Sequence, residues 1–107
     1  SYVSMTREIA GVLLKHGLQV ITFANSRLIT EILVKYLKND FEKTVQDRDT
    51  VRGYRGGYLP KLRREIEKGL RDGKIKAVVS TNALELGIDI GSLDAVVLAS
   101  YPGSISS

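Results

Sequence analysis

Residues 80–94 read STNALELGIDIGSLD and form a polar, glycine-interrupted segment between two short apolar runs, residues 77–79 and 95–99. Short apolar runs bounded by polar turns are typical of buried strands, so the polar segment crosses from one strand to another. In open α/β sheets, ligand-binding groups lie just beyond the carboxyl ends of the strands. Loops in that position commonly carry function. The polar residues of this segment that are candidates for ligand contact are Thr81, Asn82, Glu85 and Asp89.

The sequence before this segment alternates between helical and strand patterns. Apolar residues 18–24 predict a strand, and a helix capped by Asn25 or Ser26 follows it. Residues 44–51 predict a short strand, and a third helix begins at Pro60. Apolar residues at helical spacing predict the first two helices: Met5, Ile9, Val12 and Leu13, then Leu28, Ile29, Ile32, Leu33, Tyr36 and Leu37. Glycines at positions 17 and 73 are expected to end the first and third helices.

This alternation predicts an α/β fold. Strands joined through helices make right-handed crossovers, which give a parallel sheet with helices on both faces. The 107 residues are enough for one domain, which we assign to residues 1–107. Periodicity alone is compatible with several doubly wound folds.

Composition excludes several classes of protein. The chain has no cysteine, which excludes disulfides and thiolate chemistry, and its one histidine has no ligand set nearby. No apolar stretch approaches the roughly 20 residues that span a bilayer, and a signal peptide is lacking. We therefore expect no metal site, no membrane association and an intracellular location, either cytoplasmic (nucleoid) or nuclear. The chain begins at Ser1 without methionine, and we expect it to be a fragment of a longer protein.

Charge is distributed unevenly along the chain. Residues 52–76 hold nine basic and three acidic residues, whereas residues 77–107 hold three acidic residues and no basic one. Such asymmetry is compatible with a polyanion bound on one side of the domain. A solvated helix face remains the alternative for the basic residues of the third helix.

Three segments resemble motifs of superfamily 2 helicases. Residues 80–89 resemble motif V in the variant typical of the large-helicase-related (Lhr-like and Hrq-like) DNA helicases. Residues 20–27, VITFANSR, resemble motif IV, and residues 54–60, YRGGYLP, resemble motif IVa. The resemblance implies a three-layer RecA-like domain with a central parallel sheet, the second of two such domains in a DEAD/DEAH-type ATP-dependent helicase, ending before motif VI.

The resemblance also implies a nucleic-acid site at the carboxyl ends of the strands. In such helicases the motif IV and V turns hold the phosphates of one strand, next to free helix amides. The residues to which it assigns nucleic-acid contact are Asn25, Ser26, Arg27, Arg55, Gly56, Gly57, Thr81 and Asn82. From the residues alone, Asn25 or Ser26 is equally an ordinary helix cap, and Arg55-Gly56-Gly57 is equally a plain loop.

Nucleotide binding is implied for Glu85, Gly87 and Asp89, because the motif V glycine and aspartate of the family face ATP between two RecA-like domains. Without the family, residues 87–91 are compatible with a simple turn. The sequence contains no Gly-x-x-x-x-Gly-Lys-Ser/Thr loop. We therefore expect ATP and Mg²⁺ to act only in the full-length protein, with no catalytic residue and no ATP hydrolysis in this chain by itself.

The functional hypothesis is a second motor domain of an ATP-dependent helicase that grips one strand and completes the interdomain ATP site. Its expected partners are single-stranded or partly duplex nucleic acid, with DNA favoured, and the first RecA-like domain of the same chain. The alternative is a nucleic-acid-binding or protein-docking module of the same fold without a role in ATP turnover. A small nucleotide-dependent enzyme is disfavoured because no glycine-rich phosphate loop follows the first strand.

Overall fold

The computed structural model describes residues 2–43, 49–54, 60–81 and 95–99, in which helices alternate with strands. The elements are α1 (Tyr2–Lys15), β1 (Val20–Ala24), α2 (Arg27–Phe41), β2 (Val51–Tyr54), α3 (Pro60–Arg71), β3 (Ala77–Ser80) and β4 (Ala95–Ala99). The strands form one parallel sheet in the order β2-β3-β1-β4. The predicted α/β architecture, a parallel sheet flanked by helices, is confirmed.

The sheet buries side chains on both of its faces. Val20 and Val79 belong to the core between the sheet and the helices α1 and α2. Ile21 and Val78 point to the opposite face, where they pack with Ile66 of α3. Successive residues of a strand face opposite sides, so a sheet covered on both faces needs continuous apolar strands. The apolar runs in the sequence satisfy this requirement.

Helices α1 and α3 end at glycines, as predicted. Gly17 has a φ of 78°, its amide donates to the Leu14 carbonyl, and the Leu18 amide donates to the Leu13 carbonyl. This pair of hydrogen bonds is a Schellman motif, which needs a left-handed residue that glycine adopts without steric cost. Gly73 repeats the arrangement after α3, with a φ of 79°.

One strand lies later in the chain than predicted. The sequence pattern indicated a strand over residues 44–51, but β2 (Val51–Tyr54) begins where that segment ends, and residues 44–48 lie outside the described part of the chain. The strand is fixed by its pairing with β3, in which Val51 is opposite Ala77 and Tyr54 is opposite Ser80. This long-range pairing leaves no local signal in the sequence.

Most of the apolar stripe that predicted α1 is exposed, and of its four residues only Leu13 packs against the core. Met5, Ile9 and Val12 are 62%, 45% and 55% exposed, whereas Ala10 is fully buried in the core. Helical spacing correctly indicated the helix, but the buried side is decided by packing against α2 and the sheet.

A bidentate ion pair joins α1 to α2. The Arg7 Nε donates to Asp40 Oδ2 at 2.8 Å, and Nη2 donates to Oδ1 at 2.7 Å. The guanidinium also lies over the Tyr36 ring, 4.5 Å from its centroid. Hydrogen bonds from Arg7 lower the pKa of Asp40, and the same bonds raise the pKa of Arg7. Both groups are partly exposed, so solvent screens the pair.

The Asp40 contribution to stability should depend on pH. Its pKa is lower in the folded protein than the value of about 3.9 in an unfolded chain. The stabilisation is therefore present above about pH 4 and is lost as the pH falls through the folded-state pKa. We expect Asp40→Asn to lower the thermal midpoint at pH 7, with a difference from wild type that shrinks in acid. A difference that stays constant from neutral to strongly acidic pH would contradict the ion-pair origin.

Two helix glycines should respond oppositely to alanine. A Cβ at Gly11 would meet only Phe41 at 3.6 Å, so Gly11→Ala should stabilise the chain by about 0.5–1 kcal/mol through helix propensity. A Cβ at Gly69 would overlap the buried Ile75 side chain, and this overpacking costs about 1–3 kcal/mol. Denaturant unfolding should show this opposite ordering, and adding Ile75→Val should restore part of the Gly69→Ala loss. Equal effects at both positions would refute the packing argument.

Candidate nucleic-acid interface

The carboxyl ends of three strands meet at one edge of the sheet. Phe23 of β1 and Tyr54 of β2 are both opposite Ser80 of β3 in the parallel register. The Thr81 amide donates to the Tyr54 carbonyl at 3.3 Å, which extends the pairing of β2 and β3 one residue further. The turn after β1 and the residue after β3 therefore leave the sheet side by side.

Helix α2 begins at this edge, and Ser26 is its N-cap. The Ser26 Oγ accepts a hydrogen bond from the Ile29 amide at 3.2 Å. Its carbonyl accepts two more, from the Thr30 amide at 3.0 Å and the Thr30 hydroxyl at 2.9 Å. The predicted helix start is confirmed, and the residue in the capping position is Ser26 rather than Asn25.

The capped end leaves donors facing outward. The amides of Arg27 and Leu28 precede the first intrahelical hydrogen bond and have no acceptor within α2. Asn25, Ser26 and Arg27 are exposed, and the positive end of the helix dipole lies at the same place. Exposed amides, a hydroxyl and a guanidinium at a helix N-terminus form a surface suited to a phosphate.

Four of the predicted nucleic-acid residues lie in the described part of the chain, and the topology brings them to one edge. Asn25, Ser26 and Arg27 follow β1, while Thr81 follows β3, the neighbouring strand. The other predicted site residues lie outside the described residues: Arg55, Gly56, Gly57, Asn82, Glu85, Gly87 and Asp89.

Sequence reasoning misplaced one residue beside this surface. Leu28 was assigned to the apolar face of α2, but its side chain is 65% exposed in the first turn of the helix. It lies directly beyond the Ser26 cap and gives the otherwise polar edge an apolar neighbour. The sequence did hold a signal for this exposure, because Leu28 is only two residues after the cap. The first turn of a helix that follows a strand projects beyond the end of the sheet.

Neither a metal cluster nor a membrane-spanning helix occurs among the residues described. No group of three or more His, Asp or Glu residues there has the arrangement of a metal site. No helix in the same segments is long and apolar enough to cross a bilayer.

Residues 3–107 match the family described as the helicase conserved C-terminal domain. Because this match extends over nearly the whole sequence, the chain belongs to this family. The RecA-like expectation from the three motifs is thereby confirmed.

Individual relatives agree with this assignment. The chain is 50% identical to the ATP-dependent helicase YprA of Bacillus subtilis over 107 residues, all of this chain and 14% of YprA. It is 39% identical over 109 residues to the ATP-dependent helicase HRQ1 of Saccharomyces cerevisiae, again along its whole length but covering 10% of HRQ1. The chain thus spans about one seventh or less of these relatives.

Among solved structures, the fold resembles that of the helicase MrfA bound to DNA and AMPPNP. The TM-score is 0.80 at 50% identity, over 96% of this chain and 14% of MrfA. At this identity the similarity reflects common family membership as well as a shared fold.

Proposed function

We propose that the chain is the second motor domain of an ATP-dependent DNA helicase, that it holds the phosphate backbone of one strand, and that it completes an interdomain ATP site. The chain is then one part of a longer protein whose first RecA-like domain supplies the phosphate loop absent here. Such a protein acts where DNA is found, in the bacterial nucleoid or the nucleus.

The observation that carries this proposal is the position of Ser26 and Arg27 beside Thr81. Parallel pairing of β1 with β3 brings a capped helix N-terminus and a threonine to one sheet edge. Amides, hydroxyls and an arginine contact phosphates without reading sequence, which suits a protein that moves along a strand. The solved MrfA structure, which holds DNA and AMPPNP, supports the choice of DNA and a nucleotide as ligands.

In this proposal the domain works as a moving clamp. Ser26, Arg27 and Thr81, together with Asn82 and residues 55–57, hold phosphates of one strand. Closure against the first RecA-like domain and reopening then shift this grip along the strand. Such coupling requires that the two states contact the nucleotide differently, since equal affinity for both states would shift no population.

The nucleotide contacts proposed for this domain come from Glu85, Gly87 and Asp89. A carboxylate accepts hydrogen bonds from ribose hydroxyls, and a glycine allows the main chain to approach the sugar. ATP with Mg²⁺ supplies the free energy of the closing and reopening cycle. The domain by itself is expected to be inactive as an ATPase.

Substitutions at Ser26 separate capping from phosphate binding. Asp is as good an N-cap as Ser, so Ser26→Asp should keep the stability of α2. Its charge would repel a phosphate, and we expect DNA affinity to fall about 10- to 100-fold, the equivalent of a lost charge-assisted hydrogen bond. Fluorescence anisotropy with single-stranded DNA and the full-length protein would measure this.

The matched controls at this position are Asn and Ala. Ser26→Asn keeps a neutral cap and should bind DNA far better than the Asp variant. Ser26→Ala should cost about 1 kcal/mol of stability through loss of the cap. If Ser26→Asp binds DNA as tightly as wild type, the helix N-terminus is only a cap and the clamp proposal fails at this site.

Substitution of Asp89 tests the nucleotide half of the proposal. Asp89→Ala in the full-length protein should abolish most DNA-stimulated ATP hydrolysis while strand binding without nucleotide is kept. Asp94→Ala in the same segment is the control and should retain hydrolysis. Unchanged hydrolysis in Asp89→Ala would favour a binding or docking module without a role in ATP turnover.

A further inference from the structure

A groove of about 340 Å³ runs between α2 and β2, on the side of the sheet covered by α2. Val34 and Gly53 line its floor, and the charged residues Arg27, Glu31 and Lys35 lie along its α2 wall. A volume in this range is that of a ligand-binding cleft. Three features of the groove bear on its occupant: a strand edge that pairs with no other described strand, the missing side chain at Gly53, and the two cations Arg27 and Lys35.

The free edge belongs to β2, which pairs with β3 on one side and with no other described strand on its outer side. The carbonyl of Tyr54 accepts from the Thr81 amide, so the polar backbone groups of Tyr54 face β3. Val51 faces the other way, and its amide donates to Glu42 Oε2 at 2.8 Å. Backbone groups alternate in direction along a strand, so the amide and carbonyl of Gly53 face the outer edge.

Gly53 leaves space next to this edge, on the face of the sheet that α2 covers. Val51 and Tyr54 at the two ends of β2 are 0% and 2% exposed, whereas Gly53 is half-buried. A Cβ at Gly53 would lie 2.9 Å from Val34 Cγ2, so any side chain there would press on Val34 and fill the groove floor. The glycine therefore leaves an apolar cavity beside the outer edge of β2.

The charges of the groove favour an anionic occupant. Arg27 and Lys35 form no ion pair with any described residue, while Lys38 is paired with Glu42 at 3.2 Å. Glu31 is the one acidic residue along this wall. Arg27 and Lys35 are eight positions apart on α2, which is about 12 Å along the helix. Residues i and i+4 of an extended peptide are about 13 Å apart and share a face.

We infer that this groove binds an extended acidic segment of a partner protein, with the pattern acidic-x-apolar-x-acidic, through strand addition at Gly53. The two acidic side chains meet Arg27 and Lys35, and the central apolar side chain enters the floor over Val34 and Gly53. The amide and carbonyl of Gly53 supply one rung of backbone hydrogen bonds. Strand addition draws affinity from main-chain bonds and specificity from alternate side chains.

A nucleic-acid strand fits these features less well. Its sugar-phosphate backbone has phosphate acceptors but no alternating donors and acceptors to match the amide and carbonyl of Gly53. The groove is therefore a protein-docking surface, separate from the residues that hold the DNA strand, although Arg27 borders both.

The test uses the full-length protein and a labelled peptide of sequence Thr-Glu-Ser-Leu-Ser-Glu-Thr. Wild-type protein should bind it in a fluorescence anisotropy titration. Lys35→Glu should weaken binding about tenfold or more, because it reverses a charge that meets the ligand. Lys61→Glu on α3, at the opposite face of the sheet, is the control and should leave peptide affinity unchanged. Both substitutions are at exposed positions, and thermal unfolding of both variants checks that the fold is kept.

Variant peptides test the mode of binding. Replacing both Glu residues with Lys, or Leu with Ser, should abolish binding. Two N-methylated peptides should differ in affinity. In one, the methyl groups are on the amides that face β2, which removes the donor to Gly53, and this peptide should not bind. In the other, they are on the amides that face away from β2, and binding should be kept. Equal binding by these two peptides, or wild-type affinity weaker than about 1 mM, would overturn the proposal.

An oligonucleotide distinguishes the docking surface from the strand grip. Single-stranded DNA affinity should be much the same in Lys35→Glu and wild-type protein, while Ser26→Asp, whose carboxylate lies next to Arg27, should lower DNA affinity much more than peptide affinity. If Lys35→Glu lowers DNA affinity and not peptide affinity, the groove belongs to the nucleic-acid path and the peptide proposal is wrong. Failure of the Ser26 prediction alone would count against the helicase clamp and not against the groove.

Discussion

The parallel pairing of β1 with β3 is the constraint on which the candidate site depends. It places Val20 opposite Ala77 and Phe23 opposite Ser80, so that both strands end at the same level. The capped start of α2 and Thr81 come together only because of this register. A slip of one residue would turn the buried side chains of β3 to the wrong faces, and the two separate cores would resist it. The register, and with it the geometry of the edge, is therefore fixed by core packing.

The two faces of the sheet are covered by different helices, and the edge strand β2 packs differently on each face. On the α3 side Tyr54 fills the core, whereas on the α2 side Gly53 brings no side chain at all. Glu42 occupies the amide at the start of the strand, which shields part of an edge that would otherwise attract other strands. Among the described residues, no strand pairs with the outer edge of β2 at Gly53, which lies near Arg27 and Lys35. A limited, charged edge of this kind favours a specific ligand over indiscriminate pairing.

The features predictable from the sequence are those with a local physical cause. Gly17 and Gly73 end helices because of their backbone freedom, and Pro60 begins one because its fixed φ suits the first turn. The Ser26 cap belongs to the same class. In contrast, the position of β2 and the exposure of Met5 depend on contacts between distant segments. Helical spacing gives the same stripe whether its partner is the sheet or another surface, so the pattern alone could not tell which side is buried.

The same distinction explains how far the site itself could be predicted. Short motifs identified Asn25, Ser26, Arg27 and Thr81 as candidates, and the carboxyl ends of parallel strands lie on the same side of the sheet. They gave no indication of Lys35 or Gly53, whose proposed roles depend on the packing of α2 against an edge strand. Arg27 lies where the two surfaces meet. Since one guanidinium cannot satisfy a phosphate and a peptide carboxylate fully at the same time, ligands at the two surfaces would compete at this residue while remaining independent elsewhere.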